Sequence, residues 1–406
     1  MKKILLSTVT ISMLAVTGSY ADSSSDIAEM KMMMKQMNQR LAKLETENKQ
    51  LKAKQKKQAK AVKQVQKKQA SGKGVVEVAS IAPKGTLVKS KVPVLKFSGK
   101  HYLGFVSSKA DGGNRKNAFE TRRNYFQVKG YFAEDAKDYF RITLDTFHND
   151  SETTEDDKGS WEVRLKYAYL YLDNVLPFTG VEIGQAHRPW IDYEEHHGWN
   201  YRSISKVMVE DHDAAHFTNS ADLGVNFKTK TEYFSSELGV FNGEGYHGIE
   251  DGEGLSGEWR LTGHLFATGK KHVHKHDTYA DVSFFGQYNT DYKHGDPDFV
   301  WYGLHAVYNQ PEFLLAAQYV NATEGDSDVK GKGYSVNGEF RFAEDWNLLG
   351  RYDNYELDSG TGKKRTIAGI AYKYNKNVEF IANYLKTDVT GDPTEDALML
   401  TTEVNW

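Results

Sequence analysis

From Lys96 to Trp406 the chain alternates, placing apolar or aromatic side chains at every second position with polar or charged ones between them. Such segments end in clusters of Asp, Asn, Gly or Pro. A period of two marks a strand with one dry face and one wet face. The stretch Trp161–Trp190 shows it most clearly. Val163, Leu165, Tyr167, Tyr169 and Tyr171 share one parity, and Glu162, Arg164 and Lys166 share the other. Asp173-Asn174 and Pro177 interrupt the pattern, and Val181–Gln185 resumes it. The expectation is a hairpin with its aromatics on one face and its charges on the other.

Sixteen such segments fit between residues 96 and 406. Short turns at 133–138, 173–179, 309–311, 343–345 and 375–377, with 229–231 and 268–276 in the same class, alternate with longer polar connections. The longer ones fall at 107–118, 148–160, 188–218, 242–256, 289–298, 322–332, 356–364 and 387–396. Strict alternation of short and long is what a barrel produces when one rim faces periplasm and the other faces outside. The predicted fold is an all-β transmembrane barrel of sixteen antiparallel strands, with the connection at 188–218 as its third and longest outer loop. A soluble β-sandwich has no need of sixteen strands or of so many aromatic residues at strand ends.

A different period precedes the barrel. Ile27, Met34, Leu41, Asn48, Gln55 and Val62 alternate in steps of three and four with Met30, Met37, Leu44, Leu51, Gln58 and Val65. That is a heptad seam, so residues 22–69 are expected to form an α-helical coiled coil. Residues 70–95 carry Gly, Ser and two prolines and read as a linker. Residues 1–21 read as a secretory signal peptide, with Lys2 and Lys3 before an apolar run and Ser19-Tyr20-Ala21 at its end. Export places the coiled coil in the periplasm and the barrel in a bacterial outer membrane, and it argues against nucleic acid as a partner.

Composition supports this picture. Only 39% of residues are hydrophobic, yet 24 Tyr and 20 Phe occur, as expected when every strand is half polar. No cysteine is present, which removes disulfides and thiolate chemistry together. Charge is unevenly placed: residues 22–95 hold 17 Lys/Arg against 6 Asp/Glu, whereas residues 96–406 hold 33 against 49. No G-x-S-x-G or H-E-x-x-H occurs, so neither an enzyme nor a cofactor is expected. A Ser/His/acid group assembled in space would leave no mark in the sequence. His272, His274 and His276 fall at every second position beside three lysines, and the acid run Asp150–Asp157 lacks the glycine spacing of a calcium loop. Both read as solvated connections, and no metal site is expected.

Several short stretches carry a family resemblance. Arg122-Arg123-Asn124-Tyr125-Phe126-Gln127-Val128-Lys129-Gly130 is similar to an R-R-x-R-L-x-V-x-G strand of the phosphate-selective porin O/P family. Lys166-Tyr167-Ala168-Tyr169-Leu170 resembles its K-x-A-Y-L element, and Gly184–Pro189 its G-Q-x-K-x-P. Val240–Gly243 and Arg351–Asp353 have counterparts as well. The resemblance implies a homotrimeric outer-membrane porin whose third loop enters the lumen. It also implies that Leu398–Trp406, alternating up to a terminal aromatic, addresses the barrel-assembly machinery.

Selectivity depends on which charges line the passage. Arg123, Lys129, Arg141, Arg164, Lys166, Arg260, Arg341 and Arg351 have the parity of lumen-lining residues, interleaved with Asp145, Glu162, Asp281, Glu339 and Asp353. Arg188, Asp192, Glu194, Glu195 and Arg202 in the third loop are the candidates for the pore constriction. That loop is acidic overall, and an acidic mouth concentrates cations. The expected function is therefore passive diffusion of small hydrophilic solutes, general or mildly cation-selective, with an anion- or phosphate-selective channel as the alternative. A third reading is a tether whose lysine-rich coiled coil contacts peptidoglycan.

Overall fold

The computed structural model describes Lys35 and residues 87–89, 94–132, 137–148, 161–248, 254–266, 276–290 and 298–406. The expected signal peptide and coiled coil, the acid run at 150–157 and His272 and His274 lie outside the described residues.

The chain forms a closed antiparallel barrel of sixteen strands, β2 to β17. These are β2 (Val94–Ala110), β3 (Lys116–Tyr131), β4 (Tyr139–His148), β5 (Trp161–Leu176), β6 (Thr179–His187) and β7 (Ala221–Lys230). They continue as β8 (Phe234–Phe241), β9 (Ser256–His264), β10 (Tyr279–Asn289), β11 (Phe299–Asn309) and β12 (Phe313–Glu324). The last five are β13 (Gly331–Ala343), β14 (Trp346–Leu357), β15 (Gly362–Lys373), β16 (Val378–Val389) and β17 (Glu395–Asn405). A short β1 (Leu87–Lys89) pairs with the start of β2, so regular structure begins inside the stretch read as linker. Each strand pairs with its sequence neighbour, and β17 pairs with β2 from Glu395↔Ala110 to Asn405↔Lys100. Closure pairs both edges of each of β2–β17, as a hydrocarbon environment requires.

The seam is finished by Trp406. Its backbone exchanges hydrogen bonds with Gly99, and its indole Nε1 donates to His101 Nε2 at 2.9 Å. A Cβ on Gly99 would sit 2.4 Å from that ring, so only glycine lets the indole lie flat there.

Alternation then sorts the two faces. Leu261, Phe284, Leu304, Leu315, Leu348, Phe380 and Leu400 point outward and are exposed, forming the apolar belt. Their neighbours Arg260, Phe285, His305, Gln318, Arg351, Ile381 and Thr401 point inward and are buried. Strands run further than the sequence pattern suggested, because cross-strand pairing continues past the apolar belt. The outer connections 325–330, 358–361 and 390–394 are correspondingly short.

The long connection between β6 and β7, residues 188–220, turns into the barrel. It holds one short helix, α1 (Ile191–His197), and a core of Val207, Met208, Val209, Ala214 and Ala215 that is almost wholly buried. This core packs on Phe299, Trp301, Val320, Leu349, Tyr355, Ile367 and Ile381 of the wall formed by β10–β16.

Candidate functional site

Irregular backbone inside a barrel needs hydrogen-bond partners that neither a helix nor a ladder supplies. The wall provides them. Tyr279 donates its hydroxyl to the His197 carbonyl at 2.8 Å, and Asn337 Nδ2 donates to the Gly198 carbonyl at 2.9 Å. Arg351 donates to the Lys206 carbonyl at 3.0 Å, and Arg260 to the Pro189 carbonyl at 3.2 Å. From the opposite side Arg122 donates to the Ser203 carbonyl at 3.0 Å. The loop is thus held in the lumen by side chains from strands far apart in sequence.

The first turn is seated on a polar cluster. Tyr193 donates to Asp281 Oδ2 at 2.5 Å, while Asp281 Oδ1 lies 2.8 Å from His264 Nδ1. His264 Nε2 lies 3.0 Å from Ser235 Oγ, which also accepts from Arg260. The order Ser–His–Asp is that of a nucleophilic relay. Here Ser235 is 4% exposed, and Tyr193 packs 4.4 Å from Arg260 within the same cluster. The cluster is a seat for α1.

Glu194 sits in the same contact. It accepts from Trp190 Nε1 at 2.8 Å and from Gln318 Nε2 at 2.7 Å. Burial pushes its carboxyl up to about 7, although Arg351 works against that shift.

The constriction candidates divide. Arg188 is buried at the root of the loop, paired with Glu258 of β9 and directed at the Gly243 carbonyl. Glu194 is buried against β12. Arg202 binds both Glu195 and Glu210, and Lys206 lies 3.7 Å from Glu210. Against the cost of burial, Arg202 and Lys206 hold the Glu210 carboxyl well below the ordinary range. Asp211 pairs with Arg365 of β15, a partner that the sequence reading missed. Of the loop acids only Asp192 and Asp213 keep substantial exposure. The acidity visible in the sequence is therefore mostly spent inside the loop or on the wall behind it.

All eight lumen-lining candidates face inward. Arg260 pairs with Glu237, Arg341 with Glu339, and Arg351 with Asp353. Arg341 also binds the carbonyl of Gln310 in the β11–β12 turn, which places it at the short-turn rim.

The remaining five lie on β3–β5, across from the loop. Arg123 and Arg164 each reach Asp145 Oδ2 at 3.2 Å, two cations on one carboxylate oxygen. Lys166 lies 3.2 Å from the Tyr125 hydroxyl and 4.5 Å from that ring's centre, with Tyr167 and Tyr246 nearby. Arg141 lies over Tyr167 at 4.4 Å and approaches His187 Nε2 at 2.9 Å. Lys129 lies over Tyr139 at 4.5 Å. The aromatic faces attract these cations without neutralising them.

Two β-bulges build this wall, and they correct the one-face reading of the 161–190 hairpin. In β5, Tyr167 pairs with Thr143 and Leu165 with Leu144, so Lys166 is an extra residue. One extra residue inverts the parity of everything beyond it. Val163 and Leu165 consequently face outward, whereas Tyr167, Tyr169 and Tyr171 face the lumen with Arg164 and Lys166. In β3, Tyr102 pairs with Arg123 and Leu103 with Thr121, which leaves Arg122 extra and turned inward beside Arg123. Strict alternation had assigned only one of these two arginines to the lumen.

Cations of the loop lie near cations of the wall, although each loop cation is also paired with a loop carboxylate. Burial first, and then the nearness of Arg202 and Arg123, draws the Lys206 amine below its ordinary value against the pull of Glu210. Arg202 and Lys206 on the loop and Arg123 on the wall thus lie within electrostatic reach of one another.

No family model matches the chain, and no curated protein matches it. Solved structures do. The outer-membrane OmpT of Vibrio cholerae superposes with a TM-score of 0.54 at 11% identity, over 79% of this chain and 100% of that one. An anion-selective porin from Comamonas acidovorans gives 0.57 at 11% identity, over 78% and 100%. Salmonella typhi OmpF gives 0.53 at 14% identity, over 77% and 98%. At such identities the likeness concerns fold: the chain folds like outer-membrane porins.

Proposed function

We propose that this protein is an outer-membrane porin that passes small hydrophilic solutes by passive diffusion, with a preference for anions. The carrying observation is the group of inward-facing cations on β3–β5, across from the inserted loop. Arg123 and Arg164 share Asp145, and Lys166 and Arg141 are met chiefly by tyrosines and a histidine. On the loop, Arg202 and Lys206 are matched by Glu195 and Glu210, so the excess of positive charge comes from the wall. A narrow passage with low-dielectric walls focuses the field of the sign in excess. Of the selectivities that the sequence left open, the anion-preferring one has this geometry behind it. Asp192 and Asp213 are the loop acids that keep a cation-favouring contribution.

The same reading makes the lipid-facing belt a membrane contact and Leu398–Trp406 the segment that addresses the assembly machinery. A homotrimeric functional unit belongs to the same reading, and one OmpT structure of Vibrio cholerae is titled a trimer form. The deciding measurement is the reversal potential of the reconstituted protein under a salt gradient. A potential of the sign set by anion flow supports the proposal. A cation-signed potential returns the acidic-loop reading, and absence of any conductance overturns the channel itself.

A further inference from the structure

We propose that Arg122 sets the size limit of the passage by bridging the barrel seam to the inserted loop. This rests on reading the chain as a diffusion channel. The bulge in β3 sends Arg122 inward as an extra residue between Arg123 and Thr121. Its guanidinium then spans three elements. Nη1 donates to the Ser203 carbonyl of the loop at 3.0 Å and to Thr401 Oγ1 of β17 at 2.7 Å, while Nε donates to Glu120 at 2.9 Å. A planar fork can hold acceptors in different directions at once, which an ammonium on a flexible stem does poorly. The strand opposite makes room for it. Gly104 of β2 faces the guanidinium, and a Cβ there would stand 2.9 Å from Nη2 and 3.1 Å from Cζ. Arg122 therefore occupies the space between the middle of the loop and the β17–β2–β3 seam. Solutes are left the part of the lumen lined by Arg123, Arg164 and Lys166. Arg123, next in sequence, donates to Asp145 on the neighbouring strand; it contributes charge, and Arg122 contributes width.

The test is proteoliposome swelling in neutral sugars of increasing size, read beside the reversal potential on the same full-length variants. Arg122→Ala is expected to raise entry of the largest sugars several-fold relative to the smallest. Gly104→Ala keeps every charge and displaces only the guanidinium, so it should move the size limit in the same direction with the reversal potential unchanged. Arg122→Lys, the milder change should alanine impair assembly, is expected to fall between wild type and alanine. Arg123→Met, which deletes the charge and keeps most of the side chain's length, should move the reversal potential more than the size profile. A size profile unaltered in Arg122→Ala, or in Arg122→Lys and Gly104→Ala together, overturns the bridge while wild-type swelling upholds the channel. Wild-type liposomes that neither swell nor conduct overturn both.

Discussion

Trp190 lies flat on Phe285, with ring centres 3.5 Å apart and planes within 5° of parallel. One residue begins the inserted loop and the other belongs to β10, and both are buried. The pair fixes the loop to the wall where it leaves β6. Truncating a large buried aromatic costs about 3–5 kcal/mol. Trp190→Ala should therefore loosen α1 without unfolding the barrel. Faster amide exchange across 191–210 and noisier single-channel current would show it; unchanged exchange would mean that the polar cluster alone holds the loop.

Loop seating should depend on pH through Glu194. Its carboxyl, buried between Trp190 and Gln318, is raised from an ordinary 4.5 to about 7. The seated loop thus binds a proton that the released loop gives up. The sign follows: seating is strongest below about pH 4.5, weakens through the interval up to about 7, and is level above it. Exchange protection of 191–210 measured from pH 4 to 8 should fall over that interval. Glu194→Gln, which stays neutral and can still pair with Gln318, should flatten the profile.

Removing cations from β3–β5 should change selectivity in a graded way. Lys166→Met keeps the stem among Tyr125, Tyr167 and Tyr246 and deletes only the charge. The reversal potential should move toward cation permeation, and further in Lys166→Met/Arg164→Gln. Arg341→Gln, at the short-turn rim against Glu339, should move it least. A shift from Arg341→Gln equal to that from Lys166→Met would locate the filter elsewhere.

Arg188 should prove a stability residue. It is buried with Glu258, and breaking a buried pair by removing one partner costs roughly 3–5 kcal/mol because the other charge is left unpaired. Arg188→Ala should lower the temperature at which the barrel loses its compact gel mobility. Arg188→Met/Glu258→Gln should recover much of that loss. A single variant that melts like wild type would show that the carboxyl is relieved by protonation or by water.

The strand count and the position of the long third connection were legible in advance because they rest on local rules. The inward fold of that connection was implied only by the family resemblance. Period-two alternation needs only neighbouring side chains, and the run of short turns and long connections follows from a sheet whose ends face different compartments. What escaped was register. Lys166 and Arg122 are extra residues only with respect to the strand beside them, and no pattern within β5 or β3 alone distinguishes a bulge from ordinary alternation. The hairpin at 161–190 was therefore found correctly as a hairpin and wrongly sorted into faces. Arg365 was missed because its acid, Asp211, lies far away in sequence.

The chain's sequence by itself determined that a barrel would form, since burial of alternate residues against lipid is decided strand by strand. It also showed a loop carrying more acids than bases. Tertiary structure alone decided what those acids do. Glu195, Glu210 and Asp211 meet arginines only once the loop has folded inward, and Glu194 loses its water only against Gln318 and Trp190. Formal charge is a property of composition, whereas the field in a passage depends on which charges keep contact with solvent. That is settled by packing.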